Sequence, residues 1–359
     1  MSDLGARAQN TPAARPFSLN TFWHLLPWVL ALAFFAQQYA FEGGYLSLGR
    51  TVLIAVLFTL SVDLALGYAG IITLGQAAFY GFAAYAAGAL SAKLGGTYPI
   101  LNDPIIGLLF ATALAALLGF ITGMLILHTE GVTIMMLTLA IASILYEIAN
   151  QWRFMTGGDD GLSGIRMNDL FGMWRFDFRG KTAYLYCLGV LFVWFLIAWR
   201  VVHSPFGRSL DGIRQSPRRM RAIGTPVWWR LVAMYTLSAA MAGSAGALYA
   251  QTTRVVGLNV LTLLVSGIVV VMLVLGGERR LYGAIVGVLV YTVIEHYASE
   301  YDPFYWQFFI GLLLMILVLF FEGGLMGIAD RIFKRKAKPA LQPASPEQKA
   351  DEKTGGGAA

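Results

Sequence analysis

Apolar residues come in long runs along this chain, separated by short polar or glycine-rich stretches. A helix crosses a hydrocarbon core with about 20 mostly apolar residues. On that measure the pattern predicts spans over 22–40, 46–66, 71–92, 104–127, 131–151, 182–201, 228–250, 259–276, 281–299 and 304–321. The expected fold is therefore an all-α polytopic membrane protein of about ten transmembrane helices. A polar segment 1–20 precedes the membrane domain 21–330. The Lys/Pro/Gly/Ala-rich tail 331–359 has no apolar period and reads as disordered.

The third run departs from the pattern. "GYAGIITLGQAAFYGFAAY", residues 67–85, places Gly67, Gly70, Gly75 and Gly81 with Thr73 and Gln76 where an unbroken apolar helix is expected. Irregular backbone at membrane depth is tolerated only where protein buries it or where it lines a cavity. Two readings follow. Small residues one turn apart, as in Ala77-xxx-Gly81 and Ala84-xxx-Gly88, allow close helix packing. Alternatively, the span is broken beside a solute path, with Thr73 and Gln76 facing that path. The second explains the two polar side chains, which packing does not require.

Composition agrees with the pattern. Hydrophobic residues make up 57% of the chain and charged residues 13%; a soluble domain carries about 25% charged. The net charge of +6 lies in the loops between apolar runs, which argues against a nucleic-acid surface. With a cytoplasmic N-terminus, eighteen of the 26 lysines and arginines fall on inside segments, so both termini are expected in the cytoplasm. No A-x-A cleavage pattern follows the first run, so that helix is expected to be retained. Cys187 is the single cysteine and excludes a disulfide framework or a cysteine metal cluster.

The longest basic loop between spans is "SPFGRSLDGIRQSPRRMRAIG", residues 204–224. Ser216 suits an N-cap, Pro217 the first helical position and Gly224 the stop, so a short basic helix is expected between them, lying along the membrane. A loop that only sets orientation needs no capped helix; this one is expected to dock a soluble partner. Asp63 lies late in the second span, where an ionised group is costly and faces the bundle or a wet cavity. Glu147, Asn150 and Gln151 end the fifth span, and Glu295 and His296 the ninth, in no metal-ligand spacing. The loop 153–181, with Gly157, Gly158, Asp159, Asp160, Gly161, Trp174 and Arg175, is either a lid on the bundle or a contact for an external protein. Gly119-xxx-Gly123, Ala239-xxx-Gly243-xxx-Ala247 and Gly283-xxx-Gly287 are expected helix-packing faces. No G-x-x-x-x-G-K-[ST] phosphate cradle is present, nor a nucleophile–base or paired-carboxylate constellation. The spans also lack a carboxylate or histidine relay for protons or sodium, which weighs against a secondary transporter.

Six stretches in order carry a family resemblance: "GYAGIITLGQAAFYGFAAY", "TGGDDGLSGI", "GRSLDGIRQSPRRMRAIG", "LSAAMAGSAGALYA", "VVVMLVLGGERRLYGAIVG" and "GGLMGI". Over about 45–330 the chain resembles the second, longer permease subunit of ABC importers for branched-chain amino acids, with related importers for urea, short amides and aromatic acids. The resemblance implies a bacterial inner-membrane transport subunit with no chemistry, metal or cofactor of its own. It implies cytoplasmic ATP-binding subunits, a second homologous permease, an external solute-binding protein and membrane lipid as partners, and no nucleic acid. It also makes the basic loop a coupling helix, with Gly207, Arg208, Ile213, Arg214 and Gly224 at family positions. Gln215 stands where an acidic residue usually follows the arginine, so the helix carries over but its salt bridges do not. Asp63, Gly70, Thr73, Gly75, Gln76 and Gly81 are the expected translocation-path residues.

Overall fold

The computed structural model describes residues 45–94, 98, 102–129, 131–169 and 180–301, with short helical pieces within 28–37 and 308–315. The segment 1–20, the tail 331–359, Trp174, Arg175 and the stretch 323–328 lie outside the described residues, as does most of the first and tenth expected spans.

Besides the four-residue helical turn Arg153–Thr156 and the short pieces within 28–37 and 308–315, ten helices organise the described chain: α1 (Leu46–Val62), α2 (Gln76–Ala89), α3 (Pro104–Ile126), α4 (Val132–Gln151), α5 (Lys181–Val202), α6 (Pro205–Gln215), α7 (Pro217–Ala222), α8 (Val227–Thr253), α9 (Leu263–Gly276) and α10 (Leu281–Tyr301). Among the described residues, six helical stretches are long and apolar enough to cross a membrane, namely Leu46–Tyr68, α3, α4, α5, α8 and Leu281–Glu300. α9 is shorter. α2 reaches a comparable length only through widened turns at Leu90–Leu94. This is an all-α polytopic membrane protein.

Several helix starts are written into the sequence. Asp103 caps α3 by accepting the Ile105 N–H at 3.1 Å, with Pro104 at the first helical position. Pro there loses no intrahelical bond, because that N–H has no partner in a helix.

α1 and α8 are the centre. About 83% of the α1 span and 78% of the α8 span is buried, against 28% for α3 and 17% for α4. α8 earns its place through small residues. A Cβ at Gly119 on α3 would strike the Ala239 methyl, and one at Gly243 on α8 the Ala115 methyl. At Gly246 it would land on the Tyr80 carbonyl oxygen of α2. In lipid, where apolar surface gains little from leaving one apolar solvent for another, such close backbone approach supplies the packing attraction. α9 and α10 meet the same way, with Gly276 against the Gly283 backbone and Gly287 against the Met272 carbonyl. The expected packing faces are thus where the helices touch.

At the end of the bundle away from the basic loop, residues 156–165 fold back onto the helices. Leu162 and Val256 exchange backbone hydrogen bonds of 2.8 and 3.0 Å, and Leu162 and Ile165 are buried against Gly88. This part of the loop is a lid, leaving Asp159 and Asp160 exposed.

Candidate functional site

The site begins where α1 loses its regular ladder. From Asp63 to Tyr68 the helix widens to i→i+5 turns, and residues 69–75 are not helical before α2 starts at Gln76. The glycine-rich span is therefore broken, not merely closely packed. Several of the backbone groups around it find partners. The Gly75 N–H donates to Thr73 Oγ1 at 3.2 Å, and the Ala77 N–H to Ser266 Oγ of α9 at 2.9 Å. Gln76 Nε2 donates to Ser238 Oγ at 3.2 Å, and that hydroxyl donates to the Ser61 carbonyl at 2.6 Å. Unpaired backbone here would cost several kcal/mol per group.

This corrects one expectation. Thr73 and Gln76, expected to face a solute path, are 0% and 1% exposed and lie inside the chain's own packing. Thr73 also pairs with the Tyr235 hydroxyl of α8. The two polar residues hold the break together. Gly81 is likewise buried, against Leu261 and Val260.

The basic loop forms two helices where one was expected. Ser204 caps α6 and Ser216 caps α7, each followed by proline at the first helical position. The repeated Ser-Pro pair was the signal for the earlier helix. α7 ends as the sequence predicted: Gly224 has φ +81°, and the Thr225 and Gly224 N–H groups return to the Met220 and Arg221 carbonyls at 3.0 Å. Ile213, expected among the ATPase-coupling residues, is buried with Leu210 on the inner face of α6. Burying these two side chains anchors α6 by about 1.5–3 kcal/mol each. Gly207 belongs to the same seam, because a Cβ there would overlap the Val202 carbonyl. The outward surface of the pair comprises Arg208, Arg218, Arg219, Arg221 and Ile223, the last 73% exposed.

Arg214 points back toward the break. Its guanidinium donates to the Gly67 carbonyl and faces Glu278 Oε2 at 3.5 Å. Gly70 lies under its aliphatic stem: φ there is +72°, and a Cβ would come within 2.9 Å of Arg214 Cγ. Both conditions select glycine. A third segment completes the site, the turn between α9 and α10. Asp63, 0% exposed, accepts the Arg279 N–H at 2.8 Å on Oδ1. Tyr68 donates to the Arg279 carbonyl at 3.0 Å, and the Arg279 guanidinium pairs with Asp211 of α6. Arg279 itself has φ +64°, unusual for a side-chain-bearing residue, and its two backbone bonds hold it there. Gly67 is small because a Cβ would overlap Asp63 Oδ1.

The structure thus brings Asp63, Gly67, Gly70 and Arg214 into one cluster and adds Tyr68, Asp211, Glu278 and Arg279. The acid expected beside the arginine in sequence is supplied from the α9–α10 turn, 64 residues away. Asp63 serves this cluster as a backbone acceptor, so charge matters less than oxygen. Asp63→Asn keeps that acceptor and is expected to hold transport within about twofold, whereas Asp63→Leu leaves the Arg279 N–H unpaired at a cost of about 1–3 kcal/mol. Solute flux for the two variants at matched membrane content checks this.

Fold and site together define a helical membrane subunit whose broken span is tied to a basic helix pair at one end. Residues 44–319 match the family described as "Branched-chain amino acid transport system / permease component", and the chain belongs to that family. It is 26% identical over 331 residues to the "High-affinity branched-chain amino acid transport system permease protein" of Escherichia coli, covering 86% of this chain and 75% of that one. Identity to the "Probable branched-chain amino acid transport permease protein" of Methanocaldococcus jannaschii is 25% over 308 residues, covering 74% and 87%. The "Galactose/methyl galactoside import permease protein" of Salmonella typhimurium is 27% identical over 228 residues, covering 59% and 65%. No solved structure matches.

Proposed function

We propose that the chain is a permease subunit of an ATP-driven importer for branched-chain amino acids delivered by an external binding protein. Residues 21–330 form its transport domain in the bacterial inner membrane, with segment 1–20 and tail 331–359 both cytoplasmic. It assembles with a second homologous permease and with cytoplasmic ATP-binding subunits. The observation that carries this reading is the tie from α6 into the broken span through Arg214 and Gly67. An ATPase gripping the outward face of α6 and α7, with Arg208 on its rim and Gly224 ending it, moves Arg214 and Asp211. Those two residues hold Gly67 and the Arg279 turn, so the motion reaches Asp63, Gly70 and Gly75. On this reading these residues, with Gly81, are the moving part of the path, and Thr73 and Gln76 are its fasteners. Specificity resides mainly in the binding protein, in keeping with a relative named for galactose import.

The test is uptake of labelled leucine in cells lacking this chain, with and without the gene restored. Restored uptake that unlabelled isoleucine blocks, and that urea, galactose and an aromatic acid leave alone, is the expected result. Restored uptake blocked by one of the other competitors would reassign the solute. Leucine uptake by this chain alone in proteoliposomes would overturn the ATP-driven reading.

A further inference from the structure

The peripheral helices do not present one kind of surface. α3 exposes Leu109, Leu117 and Leu125, and α5 exposes Phe192, Val193 and Leu196. Those are large apolar side chains, as a helix facing acyl chains requires. α4 is buried over only 17% of its span, and beside its exposed apolar residues Val132, Ile144 and Ile148 it exposes Thr133, Met136, Ala140, Ser143, Glu147 and Gln151. Their spacing of three or four residues puts them on one face. At 1.5 Å per residue the stripe runs about 27 Å, close to the thickness of the hydrocarbon core. A hydroxyl in the middle, a hydroxyl at one end and a carboxylate hydrogen-bonded to an amide at the other (Glu147 to Gln151, 2.7 Å) make a poor lipid surface. Polar residues in a span face the bundle interior or water, and this stripe faces away from its own bundle.

We infer that this stripe of α4 is the wall that the present chain contributes to the aqueous solute path, opposite the second permease. The inference rests on the permease reading above and changes where the path lies, from the broken span itself to the helix behind it. A second observation connects the two. A Cβ at Gly75 would come within 2.6 Å of the Thr138 carbonyl oxygen, and Thr138 is on the buried side of α4. The break therefore leans directly on the back of the helix whose front bears the stripe. The chemistry fits a zwitterion with an apolar side chain. Glu147 offers its carboxylate to an ammonium group near one mouth, Ser143 offers one hydroxyl midway, and Ala140 and Met136 leave room for a branched side chain without gripping it.

Cysteine accessibility tests the assignment with little background. The one native thiol, Cys187, is 1% exposed. In the full complex in cells, Ala140→Cys and Ser143→Cys are compared with Leu117→Cys and Val193→Cys. The probe is a charged, membrane-impermeant methanethiosulfonate, which reacts with the thiolate and so needs water at the site. The two stripe positions are expected to label at least about tenfold faster than the two others, because a thiol in lipid stays protonated. Leucine with its binding protein should slow labelling at the stripe. Equal slow rates at all four positions, in variants that still import leucine, would overturn the stripe assignment and leave the importer reading standing. Loss of import in the unrestored deletion strain alone concerns that reading, not the stripe.

Discussion

Arg214→Glu is expected to cut import at least about tenfold while the protein still inserts and the complex still hydrolyses ATP. Two interactions are lost at once, and they differ in weight. The Glu278 partner lies at 3.5 Å, and both side chains are about one-third exposed (32% and 37%), so solvent screening limits that pair to about 0–1 kcal/mol. The hydrogen bond from the guanidinium to the Gly67 carbonyl is charge-assisted and reaches into the break, where it is worth about 1.5–3 kcal/mol. A glutamate at 214 cannot donate to that carbonyl and faces Glu278 with like charge. At about 1.4 kcal/mol per factor of ten, transport per ATP should fall at least tenfold. Leucine uptake measured alongside ATP hydrolysis in proteoliposomes reads this ratio. Glu278→Gln alone should be mild, because it removes the ion pair without placing like charge beside Arg214 and spares the carbonyl bond. If it proved as damaging as Arg214→Glu, the ion pair would be the tie and the Gly67 bond incidental.

Gly246→Ala is expected to destabilise the protein strongly, and Gly267→Ala to leave it unchanged or stabilise it. Alanine in a helix interior is favoured over glycine by about 1 kcal/mol, and both glycines lie within helices, α8 and α9. The surroundings decide the sign. Nothing lies within 4 Å of a Cβ at Gly267, so only the propensity gain remains. At Gly246 the added methyl meets the Tyr80 carbonyl, a backbone atom of α2 that no rotamer change can move. Overpacking of this kind costs about 1–3 kcal/mol, enough to exceed the propensity gain. Thermal melting in detergent should place Gly246→Ala below the wild type and Gly267→Ala at or above it. A melting temperature for Gly246→Ala equal to that of Gly267→Ala would mean that α8 and α2 separate easily, contrary to the close packing seen.

Much of the fold was legible along the chain. Spans 46–66, 104–127, 131–151, 182–201, 228–250 and 281–299 were read from apolar run length, and each corresponds to a helix. Hydrocarbon thickness constrains every such helix to a similar length, whatever its neighbours. The small-xxx-small faces were legible for a related reason, since only small residues permit backbones to touch. Gly224 was legible because a left-handed helix stop favours glycine regardless of context.

What could not be read were partners. Thr73 and Gln76 are polar in an apolar run, and polarity alone does not say whether a side chain faces water or an orphaned backbone group. The sequence placed Ile213 in the coupling segment without saying which way it faces, and with Leu210 it turns inward. Asp211, Glu278 and Arg279 carry no local signal, because their meaning comes from contacts with segments tens to hundreds of residues away. Length, apolar period and glycine pattern determined that this chain is a polytopic helical membrane protein with a glycine-rich third span, either broken or closely packed. The tertiary structure alone decided that this span is broken and that the break is fastened to the basic helices, because hydrogen bonds and ion pairs depend on which groups packing brings together.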